Sequence, residues 1–348
     1  MRIICIDPGT DQLWQTLIEQ RPSDVFHSPG WMRVLTETYC DFDLAAYVLL
    51  DEAGEPVAGI PFCRIKDLKG ERLVALPFSD YCDPLVGEPA HWRLLLDKLL
   101  AEQLPFAVRS LHRDAALTDE RLTVVNKAKW HGVNLRPDLD TLWRGLHSSA
   151  RRAIRKAERK GVALRTAERK EDLRAFFELH LGVRKYKYRL VAQPYRFFEN
   201  IWDHFIEPGR GLLKVAVYQG EIIGGVLFLT WKDRLYYKFN ASAPTYLSSR
   251  PNDLVIWNGI KYGKTQGYTY LDLGLSDWDQ EGLVRYKRKY ATEEKTISFL
   301  RYSPNGASTE QDKQLRGLFS QLTDLFTDET VSDHITEKAG DVLYRFFC

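Results

Sequence analysis

One stretch of the sequence, residues 267–291, combines the residue types that hold negative charge. It reads GYTYLDLGLSDWDQEGLVRYKRKYA: a strand pattern, a break at Gly274 into an acidic loop, and a restart at Gly282. Four of the five residues from Arg285 to Lys289 are basic. A strand that ends in a polar loop beside lysines and arginines is typical of an anion-binding or oxyanion-stabilising site. We therefore treat the rest of the chain as the scaffold of this stretch.

Three basic clusters lie in the second half of the chain, although the net charge of the protein is only +2. They are RRAIRKAERK at 151–160, RKYKYR at 184–189 and RYKRK at 285–289. If they converge in space, they form a pocket for phosphates, a nucleotide sugar or RNA, with Arg151 and Arg155 as candidate substrate contacts. The alternative is three separate solvated faces.

The bulk composition predicts a two-domain cytoplasmic protein. The chain has 348 residues, 44% of them hydrophobic, and no run of eighteen apolar residues that could span a membrane. Its N-terminus has no secretory pattern, and its five scattered cysteines include no C-x-x-C. We expect no disulfide framework and no metal site. The motifs of metallohydrolases, serine hydrolases and P-loop enzymes are missing from the sequence.

The pattern of predicted elements occurs twice. Each half reads helix, helix, hairpin, strand, helix and strand, at a period of about 150 residues, which indicates an internal duplication of a mixed α/β fold. The second half includes a helix from Pro251 to Thr265 and a strand from Tyr268. The chain is predicted to end in a strand, Val342–Phe347, that pairs back onto a sheet, because VLYRFF would otherwise be an exposed apolar end.

Two polar positions near the opening stretch carry both a functional and a structural interpretation. Asp272, at the end of the strand, could orient a lysine or take a proton, or it could pair with Arg285. Asn252 could contact substrate, or Asn252 and Asp253 could cap the helix that follows Pro251.

Three positions of the first half carry the same two interpretations. Tyr81 and Asp83 follow the third strand, where an acceptor pocket would lie, but the Asp83-Pro84 step is also ordinary turn chemistry. Trp31 is a candidate substrate contact or an anchor of the core.

Several segments resemble the FemAB-type aminoacyltransferases of the GNAT superfamily, and in part their exosortase- and polysaccharide-associated branch. In the second half these are S-x-x-R-x-x-I-R-K-A-E-R-K-G-V (148–162), R-P-N-D-L-x-x-W (250–257) and D-L-G…G-L-x-x-Y-K-R-x-Y-A (272–291). The first half and the tail add F-H-S-P-G-W, P-F-S-D-Y and G-x-x-L-Y-R-F. The resemblance covers nearly the whole chain.

The resemblance implies two tandem GNAT-like domains, each a mixed, mostly antiparallel sheet flanked by helices. We expect the first at 1–147, with the segment 304–348 packed back onto it, and the second, catalytic one at 148–303. The implied activity is transfer of an acyl group to an amine, with aminoacyl-tRNA as donor in the best known members. The family's lysine corresponds to Lys287, which would stabilise the tetrahedral oxyanion, and its arginine to Arg184, which would bind an acceptor phosphate or carboxylate.

Tyr286 would offer its backbone N–H to the same oxyanion, or only pack. The acceptor is expected to be an anionic small molecule or a lipid-linked precursor. The resemblance also allows two other partners, tRNA as the donor's carrier and a membrane surface for peripheral contact. No tightly bound cofactor is expected, since the donor is a co-substrate.

Two departures affect the choice of substrates. The helix after Trp31 carries Arg33 where peptidoglycan-type members have a lysine, and no coiled-coil insertion interrupts the second domain. The loop 247–252, LSSRPN, lacks the glycines that let a CoA pyrophosphate approach, and Pro251 removes one N–H donor. The alternatives are an N-acyltransferase that uses acyl-CoA or acyl-carrier protein, and a non-enzymatic module that binds nucleic acid or a membrane surface.

Overall fold

The computed structural model describes residues 1–112, 114–304 and 310–348, without the side chains of residues 311 and 312. The chain forms two compact units. The first comprises Met1–Trp130, Lys295–Leu315 and Cys348, and the second comprises His131–Glu294 and Arg316–Phe347.

The first unit contains a mostly antiparallel sheet with helices. Its strands are β1 (Arg2–Ile6), β2 (Phe42–Leu50), β3 (Pro56–Asp67), β4 (Gly70–Val74), β5 (Phe106–Ser110), most of β6 (Thr123–Asn134) and most of β12 (Glu293–Tyr302). Its helices are α1 (Gln12–Gln20), α2 (Pro29–Thr38), α3 (Pro89–Leu100) and α4 (Asp114–Leu117). From β1 to β5 neighbouring strands pair antiparallel except β4 and β5, which run parallel, and β12 pairs antiparallel with β5.

The second unit repeats this plan. Its strands are β7 (Ala163–Thr166), β8 (Gly211–Tyr218), β9 (Glu221–Trp231), β10 (Arg234–Ser242) and β11 (Tyr270–Asp277). Its helices are α5 (Leu139–Gly145), α6 (Ser148–Arg159), α7 (Lys170–Gly182), α8 (Tyr195–Ile201), α9 (Pro251–Thr265), α10 (Glu281–Lys287), most of α11 (Glu310–Phe326) and α12 (Asp333–Leu343). The strands β7 to β10 are antiparallel, and β10 and β11 are parallel.

The predicted duplication and fold class are confirmed. In each unit two helices precede an antiparallel hairpin, a further strand, a helix and a strand that returns parallel to the previous one. The hairpin of the second unit turns at Gln219 and Gly220, both with positive φ (53° and 86°). Two consecutive residues of that conformation match the twist of the flanking strands, which explains why a glycine stands there.

Helix α9 lies unusually close to the sheet of the second unit. A Cβ added at Gly259 would stand 2.5 Å from Cζ of the buried Phe228 on β9. The apolar side of α9, including Ile260, completes a core with Ile154 of α6 and Leu271 of β11. Glycine at this position therefore allows the close approach of α9 to β9.

The C-terminal segment differs from its prediction. Residues 305–309 lie outside the described residues, and Arg316–Phe347 belong to the second unit, not to the first. Ion pairs hold α12 there, from Arg174 to Glu337 (2.7 Å) and from Lys185 to Asp333 (2.8 Å). The predicted terminal strand is wrong, because α12 runs to Leu343 and a short 3₁₀ helix follows. Its apolar side chains are packed in part by aromatic stacking on Phe319 of α11 instead of by strand pairing.

The first predicted domain boundary, at residue 147, also differs from the boundary between the compact units at Trp130 and His131. Helix α5 and the end of β6 pack with the second unit, since Val133, Leu142 and Leu146 join its core.

Candidate active site

The parallel strands β10 and β11 part soon after they begin. They pair only from Arg234↔Tyr270 to Tyr236↔Asp272, although β10 continues to Ser242 and β11 to Asp277. A bulge on β10, between Tyr237 and Phe239, marks the same level. Strands that separate while still extended leave backbone N–H and C=O groups along a cleft, where a ligand can use them.

Gly274 bends β11 at the point of separation. Its φ is +69°, and its N–H donates to Asp272 Oδ1 at 2.6 Å. The Asp272 carboxylate is buried, with 2% of the residue exposed. Asp272 therefore shapes the backbone of the cleft wall by accepting this hydrogen bond.

Lys287, the last residue of α10, lies against this wall. Its side chain is buried, and Nζ donates to the carbonyl oxygens of Gly274 (3.2 Å) and Leu275 (2.7 Å). The ammonium also stands 5.9 Å from the ring centre of Tyr237 on β10. The structure thus places one buried positive charge between β10 and β11, directly beyond the last paired residues.

Tyr286 packs instead of facing the cleft with its backbone. It lies inside α10, where helix geometry directs its N–H along the helix. Its ring meets the edge of Tyr290 at 5.6 Å, and burial raises the pKa of Tyr286 well above its ordinary value. The packing interpretation of Tyr286 is therefore the one that its contacts support.

Tyr290 links this ring pair to the first turn of α9. Its hydroxyl donates to Asp253 Oδ1 at 2.5 Å, and burial raises the pKa of the Asp253 carboxyl despite that bond. Asp253 is the third residue of α9, where the helix dipole favours negative charge. The chain's own carboxylate thus occupies the turn at which a bound phosphate group would be stabilised.

The N-cap residue of α9 is Arg250, which makes no side-chain capping bond, so the cap is neither Asp253 nor Asn252. Its Nδ2 donates instead to Asn240 Oδ1 and Ser242 Oγ, both at 3.1 Å. Asn252 therefore ties the start of α9 to the end of β10. Its Oδ1 is buried and has no hydrogen-bond partner among the described residues.

Three cations of the second basic cluster are held by groups of the second unit. The Arg184 guanidinium donates through Nε and Nη2 to the Val191 carbonyl, at 3.1 and 3.0 Å. Lys185 is fully buried against Asp333, and Arg189 pairs with Glu329 at 2.8 Å. These cations hold loops and the C-terminal segment of the second unit. The acceptor-binding role of Arg184 stays a prediction.

The first basic cluster divides between structure and surface. Arg151 donates to the carbonyls of Arg144 (2.5 Å) and Leu146 (3.1 Å), and thereby caps the C-terminal end of α5. Arg155 is exposed and stacks over Trp143, 5.5 Å from the ring centre. Of the two candidates, only Arg155 presents its charge to solvent.

The three candidates of the first unit are all buried. Trp31 donates from Nε1 to Ser79 Oγ at 2.8 Å, which matches a core anchor. Tyr81 is fully buried and packs edge-on against Phe26, with ring centres 5.4 Å apart.

The Asp83 carboxylate accepts from Ser110 Oγ (2.6 Å) and from the N–H groups of Leu111 and His112 (both 3.0 Å). The structure therefore gives these three residues structural roles in the core of the first unit.

Sequence reasoning missed His131. This histidine is fully buried on the last part of β6, and its Nε2 lies 3.0 Å from Glu294 Oε2. The two residues are 163 positions apart, so no spacing in the sequence joins them. The alternating pattern of β6 signals only a strand.

Two buried histidines of the second unit make its stability sensitive to acid. Burial is the main cause that lowers the pKa of His131 to about 4 and of His180 to about 3. An unfolded histidine titrates near pH 6.5, so below that pH the unfolded chain binds protons that the folded chain does not bind. We expect the free energy of unfolding to fall between about pH 6.5 and 4, by about 1.4 kcal/mol per pH unit for each histidine.

Urea unfolding followed across this pH range checks the expectation. The variant His180→Gln removes one titrating group, so its dependence on pH should be shallower than that of the wild type. Equal slopes for the two proteins would contradict the assignment.

Among the described residues, no cluster of three or more His, Cys, Asp or Glu side chains is arranged to hold a metal ion. Within the same part of the chain, every helix is too short or too polar to cross a membrane.

Residues 144–288 match the family profile described as Acetyltransferase (GNAT) domain. No curated protein matches the chain in sequence. Among solved structures, FemX shares the fold at 14% identity and a TM-score of 0.65, over 92% of this chain and 100% of that chain.

L-PGS from Bacillus licheniformis shares the fold at 14% identity and a TM-score of 0.55, over 92% of this chain and 99% of that chain. A tandem GNAT protein from the clavulanic acid biosynthesis pathway matches at 12% identity and a TM-score of 0.53, over 88% of this chain and 99% of that chain. The likeness confirms the predicted tandem GNAT fold, and the domain match confirms the predicted acyltransferase.

Proposed function

We propose that this protein, which carries an acetyltransferase (GNAT) domain at 144–288 and has the fold of FemX, is an aminoacyltransferase. It moves an aminoacyl group from aminoacyl-tRNA to an amine of an anionic cell-envelope or polysaccharide precursor. The observation that carries the proposal is the buried Lys287 ammonium on the wall of the β10–β11 cleft.

The reaction needs charge stabilisation at this position. The acceptor amine attacks the ester carbonyl of the donor, the C=O electron pair moves onto oxygen, and the oxyanion gains a positive neighbour in Lys287. A charge held by backbone carbonyls in a buried site acts more strongly than in water and needs no reorganisation when the oxyanion forms.

The first turn of α9 favours RNA over CoA as the donor. In a CoA-dependent enzyme this turn would bind a pyrophosphate, but here Pro251 lacks an N–H and Asp253 already places a carboxylate there. A pyrophosphate bound there would be repelled by the negative charge of Asp253. The alternative donors are acyl-CoA, which this turn disfavours, and acyl-carrier protein, whose arm brings no pyrophosphate.

The donor is tested by binding and turnover together. We expect aminoacyl-tRNA to bind and to be consumed in the presence of an amine acceptor, and calorimetry with CoA to give no tight binding. Tight CoA binding would favour the alternative enzyme, and binding of RNA without any turnover would favour a non-enzymatic module.

The exposed face of α6 is the expected contact for donor phosphates. Arg152, Arg155 and Arg159 are exposed and recur at helical spacing, and none of them meets a carboxylate among the described residues. We expect Arg155→Ala and Arg159→Ala each to weaken tRNA binding, and to lower the slope of log K against log salt by about one.

Filter binding at several salt concentrations measures this slope. Arg196→Ala removes an equally exposed arginine from α8 and serves as the matched control. A loss of the same size in the control would show that general charge, and not this face, attracts the RNA.

A further inference from the structure

His131 has the setting of an oriented base. Its ring is fully buried, and Nε2 lies 3.0 Å from Glu294 Oε2. Arg288 holds the same carboxylate with two bonds, Nε to Oε2 at 2.6 Å and Nη2 to Oε1 at 2.9 Å. A carboxylate only accepts, so the proton of the neutral imidazole is assigned to Nε2.

Nδ1 of His131 therefore carries a lone pair. It is buried and has no hydrogen-bond partner among the described residues. A buried polar atom without a partner is uncommon in a folded protein and calls for a reason, and the transient binding of a proton is one.

The ring lies within the electrostatic reach of the candidate site. Leu135 N, four residues further along the chain, donates to Thr269 O at 3.0 Å, so the end of β6 lies at the start of β11. Burial and then the nearby Lys287 ammonium lower the pKa of His131 to about 4, while Glu294 opposes them and Arg288 adds to them. At neutral pH the ring is thus uncharged and able to accept a proton.

We propose that His131 Nδ1 takes the proton that the acceptor amine loses during transfer, with Glu294 and Arg288 fixing the ring. This inference rests on the proposed function. A bond forms between the amine nitrogen and the carbonyl carbon, and the C=O pair becomes the oxyanion near Lys287. An amine N–H proton passes to Nδ1, directly or through one water, and Glu294 stabilises the imidazolium.

The second half of the reaction returns the proton. The oxyanion collapses, the ester C–O bond breaks, and the leaving ribose oxygen takes the proton from His131, so the ring ends neutral. The positive charge of Lys287 makes the resting imidazole a weak base. The oxyanion offsets this charge when it forms, so His131 becomes a stronger base at the step in which it takes the proton.

His180 provides a matched control in the same unit. It is also buried, and its Nε2 forms a hydrogen bond of 2.9 Å with Gln193. Its pKa is lowered as well, to about 3. His131 and His180 thus share burial and neutrality, and only His131 is joined to a carboxylate.

The test compares wild type, His131→Gln and His180→Gln in steady-state transfer from aminoacyl-tRNA to an amine acceptor across pH, with melting curves for each. Glutamine keeps an N–H for Glu294 but supplies no basic nitrogen. We expect His131→Gln to lower kcat by about 100-fold with KM unchanged. Its acid limb near pH 4 should disappear, and His180→Gln should keep the wild-type rate and profile.

Retention of kcat in folded His131→Gln, while Lys287→Ala is inactive, would overturn this inference alone. A wild-type protein without turnover would overturn both proposals. A second readout does not depend on activity: nitrogen NMR of the free protein should show the Nε2–H tautomer of His131, and a proton on Nδ1 at neutral pH would also overturn the inference.

Discussion

Lys287→Ala is expected to lower kcat for transfer by about 10²–10³-fold, because one preorganised donor to an oxyanion typically accounts for that much. The cause is the loss of a buried positive charge beside the β10–β11 cleft. Single-turnover kinetics with saturating donor measure the effect on the chemical step, separately from binding.

The structure adds a cost that the sequence does not show. Truncation at Lys287 removes the Nζ bonds of two carbonyls, Gly274 O and Leu275 O, so we expect a loss of about 1–3 kcal/mol of stability as well. Lys287→Gln separates the two effects. Its amide can still donate to a carbonyl but carries no charge, so it should fold better than the alanine variant and remain almost inactive.

Arg285→Ala is the matched control for this experiment. Arg285 lies two residues earlier in the same basic stretch and is exposed. We expect wild-type turnover from Arg285→Ala. Near-normal kcat in folded Lys287→Gln would remove Lys287 from the mechanism.

Asp333→Ala is expected to destabilise the second unit by about 1.5–3 kcal/mol, the range of a hydrogen bond to a charged group. The side chain of Lys185 is fully buried, and its ammonium is held by Asp333 Oδ1 at 2.8 Å and by the Val331 carbonyl. Burial by itself lowers the pKa of Lys185, but the bond to Asp333 raises it, which shows that the carboxylate keeps the buried amine charged. Without Asp333 the buried ammonium loses its counter-ion, and the half-exposed position of Asp333 lets water replace only part of that interaction.

The control lies on the same helix. Asp341 meets Lys338 at 3.4 Å on the surface, and exposed pairs of this kind contribute little. Asp341→Ala should therefore change stability by less than about 0.5 kcal/mol. Urea unfolding of the two variants decides the point, and equal effects would show that the Lys185–Asp333 pair has no special weight.

The element order of this protein could be predicted because it depends on local features. The period of the hydrophobic residues, the glycine turns and the prolines predict hairpins, helices and helix caps. These local signals are present in both halves of the duplication. The C-terminal strand was mispredicted because its apolar residues fit either structure. In the structure the last residues form a 3₁₀ turn, and Phe346 and Phe347 pack on Phe319.

Only part of the candidate site could be predicted from the sequence, for a related reason. The stretch 267–291 contains both Lys287 and the carbonyls that hold it, so a single segment of sequence marked the place. Arg184 and Asp83 had suitable residue types in suitable loops, yet backbone groups of their own units satisfy them. Residue type shows that a side chain can bind an anion or a proton, but not whether the fold has already used it.

By itself, then, the sequence determined the duplicated plan, the strand that breaks at Gly274 and the lysine that follows it. The tertiary structure alone decided that Lys287 is buried beside a cleft, that His131 meets Glu294, and that Asp333 neutralises Lys185. The physical reason is distance along the chain. Local conformation depends on neighbouring residues, whereas a contact between residues more than a hundred positions apart exists only after the whole unit has packed.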